Sequence, residues 1–191
     1  MQLLYFETTT SKDLNSFIAY WSQLYSYSNE FVYKKAISKT IFEENDIQNL
    51  YVWKNGMRLS DLKQKSLEQN ILRKLHMINW FKSNENVDLE NFRKEFNTLS
   101  TVWKIFLLHI IKPNQYPIYD QHIHRTFLFI HERDHTNLSN TSINNKDKET
   151  FYFKEYLPFI KNNNIKDIKK LDEAFFAFGQ FLNTKNYSNL F

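Results

Sequence analysis

The chain of 191 residues contains no cysteine, only two glycines and three prolines. Each scarcity excludes something. Without Cys there is no disulfide framework, no thiolate zinc site, no iron–sulfur cluster and no Cys nucleophile. Gly56 and Gly179 cannot build a phosphate-cradling P-loop or a dinucleotide fingerprint. The same shortage argues against a many-turned β fold, whose tight turns call for glycine. No segment reaches the ~18 uninterrupted apolar residues of a membrane span. Met1–Glu7 lacks a basic region followed by a cleavage site, so a cytoplasmic protein away from membranes is expected. Charge of one sign is also modest: the net +4 and pI near 9.0 permit a polyanionic partner without requiring one. Aromatic residues, by contrast, are abundant. Eighteen Phe, eleven Tyr and four Trp supply the material of a sizeable core.

Helical periodicity is the dominant pattern. Ser11 is expected to cap a first helix to about Tyr25, with Leu14, Ile18, Trp21 and Leu24 on one face. A second helix is read over Phe31–Glu44. A third, from Asp46 to Trp53, stops at Asn55-Gly56, where glycine suits a left-handed C′ position. Ser60 starts a long helix to about Lys82, and Asp88 caps a short one ending near Phe96. Val102–Ile111 is apolar nearly all round and should be the central buried helix. Pro113 and Pro117 bracket a loop, and Asp120 sits where the N-cap of Gln121–Glu132 belongs. The polar stretch 134–148 reads as an exposed loop, followed by helices over about 147–161 and 166–184. The expected architecture is all-α: one compact domain of seven to nine helices over residues 1–191.

The stretch richest in chemistry runs from Leu99-Ser100-Thr101-Val102-Trp103-Lys104, through the apolar helix, to Tyr116-Pro117-Ile118-Tyr119-Asp120-Gln121-His122-Ile123-His124-Arg125. It is a helix, a proline-pinned loop and a carboxylate at the next helix start. A helix N-terminus favours an ionised carboxylate through its free N–H groups and its dipole. As a bare residue pattern, Asp120 is a helix cap before it is anything else. Asp120, His122 and His124 also have an Asp-x-His-x-His spacing. On a helix, residues i and i+2 point about 200° apart, so both histidines cannot face one metal unless the segment is extended. His122 more naturally meets a phosphate, and His124 more naturally packs.

The segment Ile118-Tyr119-Asp120-Gln121-His122-Ile123-His124-Arg125 resembles the catalytic segment of the helix-hairpin-helix DNA glycosylase superfamily. The matching positions are Asp120, His122, Ile123 and Arg125, and the resemblance covers roughly residues 95–130. It implies that Asp120 is the catalytic carboxylate. It further implies that Lys104, near the start of the preceding helix, is the counterpart of the lysine with which bifunctional members form a Schiff base. The family hairpin holds a DNA phosphate with glycine amides. Here Leu99-Ser100-Thr101-Val102-Trp103 has no glycine, so Ser100 and Thr101 must offer hydroxyls and amides instead.

The expected activity is excision of a damaged or modified base from duplex DNA, with an associated β-lyase step if Lys104 attacks. The base is flipped into a pocket, and no cofactor or metal is called for. Asp120 stabilises the cationic sugar, and Trp103, Tyr119 and Trp53 are the candidates to stack on the base. Ser100, Thr101, His122, Arg125, Lys54 and Arg58 are the candidate DNA contacts, the last two flanking the Asn55-Gly56 turn. Two other readings stand beside this one. One is a non-catalytic DNA-binding module of the same fold. The other is a metal-dependent hydrolase using Asp120 and His122.

Overall fold

The computed structural model describes residues 13–131 and 144–184, and every regular element among them is helical. In chain order these are α1 (Leu14–Gln23), α2 (Glu30–Ile37), α3 (Glu44–Asn55), α4 (Asp61–Asn70), α5 (Leu75–Ser83), α6 (Leu89–Glu95), α7 (Thr101–Ile111), α8 (Gln121–His131), α9 (Asn145–Phe151), α10 (Leu157–Asn162) and α11 (Ile168–Asn183). A 3-10 turn, Leu72–Lys74, links α4 to α5, and a π turn, Tyr152–Tyr156, links α9 to α10. The all-α expectation is met, with two of the expected rods each divided in this way.

The caps explain most boundaries. Asp13 accepts from the amides of Asn15 and Ser16 and so starts α1; Ser11 lies outside the described residues. Asp88 starts α6 in the same manner. Gly56 closes α3 at φ 73°, the left-handed conformation that an L side chain resists.

Two expected helices are corrected. α2 stops at Ile37 rather than running to Glu44, because Asn79 clamps the backbone beyond it. The Asn79 side chain accepts from Phe42 N–H at 2.8 Å and donates to Phe42 C=O at 2.9 Å. The expected rod 60–82 breaks at Ile71 (φ −123°), with Leu67, Ile71, Ile78 and Phe81 wholly buried on both sides of the break. Of the expected loop 134–148, residues 134–143 lie outside the described residues; Asn144 caps α9, so 145–148 are helical.

α7 is the central helix, with every residue from Ile105 to Ile111 buried, as its sequence requires. One continuous core joins it to α3, α5, α6, α8 and α11. α8 crosses α11 closely. Arg125 Nη1 donates to Gly179 C=O at 3.0 Å, and Thr126 Oγ1 donates to Phe175 C=O at 2.6 Å. A Cβ on Gly179 would lie 2.2 Å from the His122 carbonyl oxygen, so only glycine admits this approach.

Candidate active site

The loop between α7 and α8 is held at three successive residues. His109 is wholly buried in α7, and its Nδ1 meets the Tyr116 carbonyl at 2.8 Å. That contact makes Nδ1–H the donor and leaves Nε2 to accept from the Tyr33 hydroxyl at 2.6 Å. Burial drives the His109 pKa down to about 3, so the ring is neutral at ordinary pH. Tyr152, on the π turn, donates to the Pro117 carbonyl at 2.8 Å. Asp172, on α11, accepts from Ile118 N–H at 2.9 Å through Oδ2. The segment delivering Asp120 is therefore fixed by groups from α7, α11 and the π turn.

Asp120 divides its work between two oxygens. Oδ1 accepts from the amides of His122 (2.9 Å) and Ile123 (3.1 Å), which is the cap. Oδ2 faces Lys54 Nζ at 3.2 Å, across from α3. The two side chains are only 18% and 10% exposed, so this is not a solvated surface pair. Burial alone would raise the Asp120 pKa. The Lys54 ammonium, the Ile123 amide and His122 outweigh it and hold the carboxyl below its usual range.

The pair lines a shallow cleft whose empty space, open mouth included, is about 360 Å³. Its walls are aromatic: Tyr25 and Tyr27 from the α1–α2 connection, Trp53 from α3 and Phe176 from α11. Trp53 is stacked on Tyr33 at 4.3 Å between ring centres. Its indole N–H is buried without a hydrogen-bond partner among the described residues, in a residue that lines the cleft. Lys169 occupies one end, paired with Glu30 at 2.8 Å and Glu173 at 3.2 Å, and lies over the Tyr25 and Tyr33 rings. Asp172 also lines the cleft.

Several expected site residues lie elsewhere. Lys104 is half-buried on α7, is not part of the cleft wall, and its amine has no hydrogen bond or ion pair among the described residues; the ammonium beside Asp120 is Lys54. Trp103 packs on Tyr51 at 4.8 Å and does not line the cleft. Tyr119 is buried against Phe151 and Tyr152, with its hydroxyl 3.3 Å from His124 Nδ1. Tyr119 points into the core because Asp120, the next residue, points out.

Among the expected DNA contacts, Thr101 is buried and donates its hydroxyl to the Asn145 carbonyl at 2.9 Å. Arg125 is wholly buried on Gly179 and on His122 Nδ1 (3.1 Å), so its guanidinium does not reach a phosphate in this conformation. His122 is half-buried with its ring edge-on to Phe176 at 5.0 Å. Ser100 and Arg58 are exposed. His122 and His124 diverge, the latter packed on Phe151 at 4.4 Å. Among the described residues no three His, Asp or Glu side chains converge as metal ligands, which gives the hydrolase reading no donor set.

Sequence reasoning missed Tyr27, Phe176, Asp172 and the pairing of Lys54. Tyr27 lies in a stretch without strong periodicity, and Phe176 and Asp172 read as ordinary positions of an amphipathic helix. The chain matches no family model, and searches of curated proteins and of solved structures found no significant match.

Proposed function

We propose that the protein is a DNA N-glycosylase-like enzyme that excises a damaged or modified base, with the Asp120–Lys54 cleft as its site. The observation that carries this reading is the second oxygen of Asp120. It is left over by the cap and meets an amine inside an aromatic-walled cleft. A flipped base stacks on Trp53 and Tyr27, at an unstacking cost of a few kcal/mol. The Asp120 carboxylate stabilises positive charge as it develops on the sugar.

We take Lys54, rather than Lys104, as the reacting amine, because it is the ammonium beside Asp120. In a lyase route, Lys54 gives a proton to Asp120 and its nitrogen forms a bond to the sugar C1′. The glycosidic C–N bond breaks with its electron pair on the base nitrogen, which is protonated by an acid of the cleft. The resulting N,O-acetal opens to a protonated imine as O4′ takes the proton held on Asp120; the Asp120 carboxylate then removes a C2′ proton and the 3′ C–O bond breaks with its electron pair on the leaving phosphate oxygen. In a monofunctional route, water attacks C1′ and Lys54 only tunes Asp120. Duplex DNA is the expected partner, with Ser100 and Arg58 exposed to meet its phosphates.

The resting ion pair also favours a second reading, a non-catalytic DNA-binding module in which Lys54–Asp120 merely ties α3 to α8. Borohydride trapping on an abasic duplex separates them. A covalent adduct abolished by Lys54→Ala and retained by Lys104→Ala supports the lyase. Loss with Lys104→Ala alone would restore Lys104 as nucleophile. No adduct, together with no base release from any lesion duplex, would leave the binding module.

A further inference from the structure

We propose that Asp172 is the proton donor of this cleft, protonating the leaving base as the glycosidic bond breaks. The assignment rests on the base-excision reading for its reaction, though not for the proton itself. Asp172 is a carboxyl of α11 that is 4% exposed yet lines the same cleft as Asp120 and Lys54. Among the described residues it has no cation within ion-pair distance, whereas Asp120 has Lys54. Burial of a carboxyl without a counter-ion favours its neutral form. Two acids in one cleft with opposite surroundings are the arrangement that divides acid from base work.

The groups facing Asp172 divide. The Ile118 amide, then Lys169 from its own helix and Lys54 from α3, favour the anion. Burial first, and the Asp120 charge second, oppose them and push the carboxyl up to about 8. Tyr33, Tyr152 and Tyr156 also surround it and are themselves held neutral, chiefly by burial. Oδ2 is committed to Ile118 N–H at 2.9 Å. Oδ1 accepts a long hydrogen bond from the Tyr156 hydroxyl at 3.3 Å and keeps a second lone pair, which is where the proton sits.

The step balances without an outside reagent. The glycosidic C–N bond breaks with its electron pair on the base nitrogen, which takes the Asp172 proton. Asp120 stabilises the sugar cation. Water adds its oxygen to C1′, and the proton it sheds restores Asp172. In the lyase route, the first Lys54 proton goes to Asp120, and the second, shed once its nitrogen is bonded to C1′, restores Asp172.

The test compares Asp172→Asn, which keeps an acceptor for Ile118 N–H, with wild type on two duplexes. One carries a neutral lesion base, a poor leaving group. The other carries an N-alkylated base already bearing positive charge, which needs no acid. The variant should lose at least roughly tenfold more single-turnover rate on the neutral base than on the charged one, general acids contributing ~10²–10⁴. Wild-type release of the neutral base should fall above pH about 8. Equal losses on both bases would reduce Asp172 to a structural anchor and overturn the proposal. Isotope-edited infrared spectra of the aspartates decide the proton independently. A protonated-carboxyl band at pH 6 that is present in wild type and Asp120→Asn, and absent in Asp172→Asn, supports it. Absence of that band in wild type overturns it. Failure of wild type to release any base overturns the excision reading instead, and the infrared band still reports on Asp172.

Discussion

Asp120 serves two partners because a carboxylate has two oxygens. A cap needs one, and the other is free to face Lys54. Removing the ammonium with Lys54→Met would leave burial as the dominant influence on Asp120 and raise its pKa. Base release by the water route, which needs Asp120 ionised and no amine nucleophile, should then lose its acid-side activity at a higher pH than in wild type. A pH–rate profile with an unshifted acid limb would contradict the pairing. Stability should drop by about 1–3 kcal/mol, since a half-buried charge loses its partner. Lys104→Ala should change stability by no more than roughly 0.5 kcal/mol, because among the described residues its amine has no partner to lose.

At the scale of elements, the site depends on how closely α8 approaches α11. Gly179→Ala would put a methyl group against the His122 backbone, two residues from Asp120. Neither partner there is the flexible end of a side chain, so a helix must shift. The variant should lose about 1–3 kcal/mol or more in denaturant unfolding, and an unchanged midpoint would contradict the crossing. The elements themselves were largely legible in the chain. Asp88, Gly56 and Asp120 announce helix ends through local chemistry, and the all-apolar run of α7 announces the centre. The break at Ile71 and the early stop of α2 were not legible. The first lies within an unbroken helical pattern, and the second depends on Asn79, 37 positions away from Phe42. The candidate site was half legible for the same reason. Asp120 stands in a local motif, but its amine is 66 positions away, where spacing carries no information. Lys104 is closer in sequence and shares the apolar helix, yet α7 turns it away from the cleft.

Across the whole molecule, buried titratable groups set opposing pH limits. His109 and His124 are held neutral by burial, with pKa values lowered to about 3 and about 4. Their unfolded forms bind more protons as pH falls below about 6.5, so folding stability is lost from there downward. Each contributes a slope of about 1.4 kcal/mol per pH unit within its window. Asp172 acts in reverse. With its pKa raised to about 8, the folded form holds the extra proton, and stability is lost as pH rises toward 8. Between pH about 4 and 6.5 the two histidines outweigh the single carboxyl. Thermal unfolding should therefore show a maximum near pH 6.5, and Asp172→Asn should flatten the decline from there to pH 8; a wild-type stability still rising through that range would contradict the burial of Asp172 as a neutral acid. The central claim is that base excision takes place at Asp120 in this cleft. Its most direct test is single-turnover base release from a panel of lesion-bearing duplexes by wild type and Asp120→Asn. The variant keeps the cap acceptor and loses the charge. The account predicts release by wild type on at least one duplex and a loss of ~10²-fold or more in the variant; undiminished release by Asp120→Asn would contradict it.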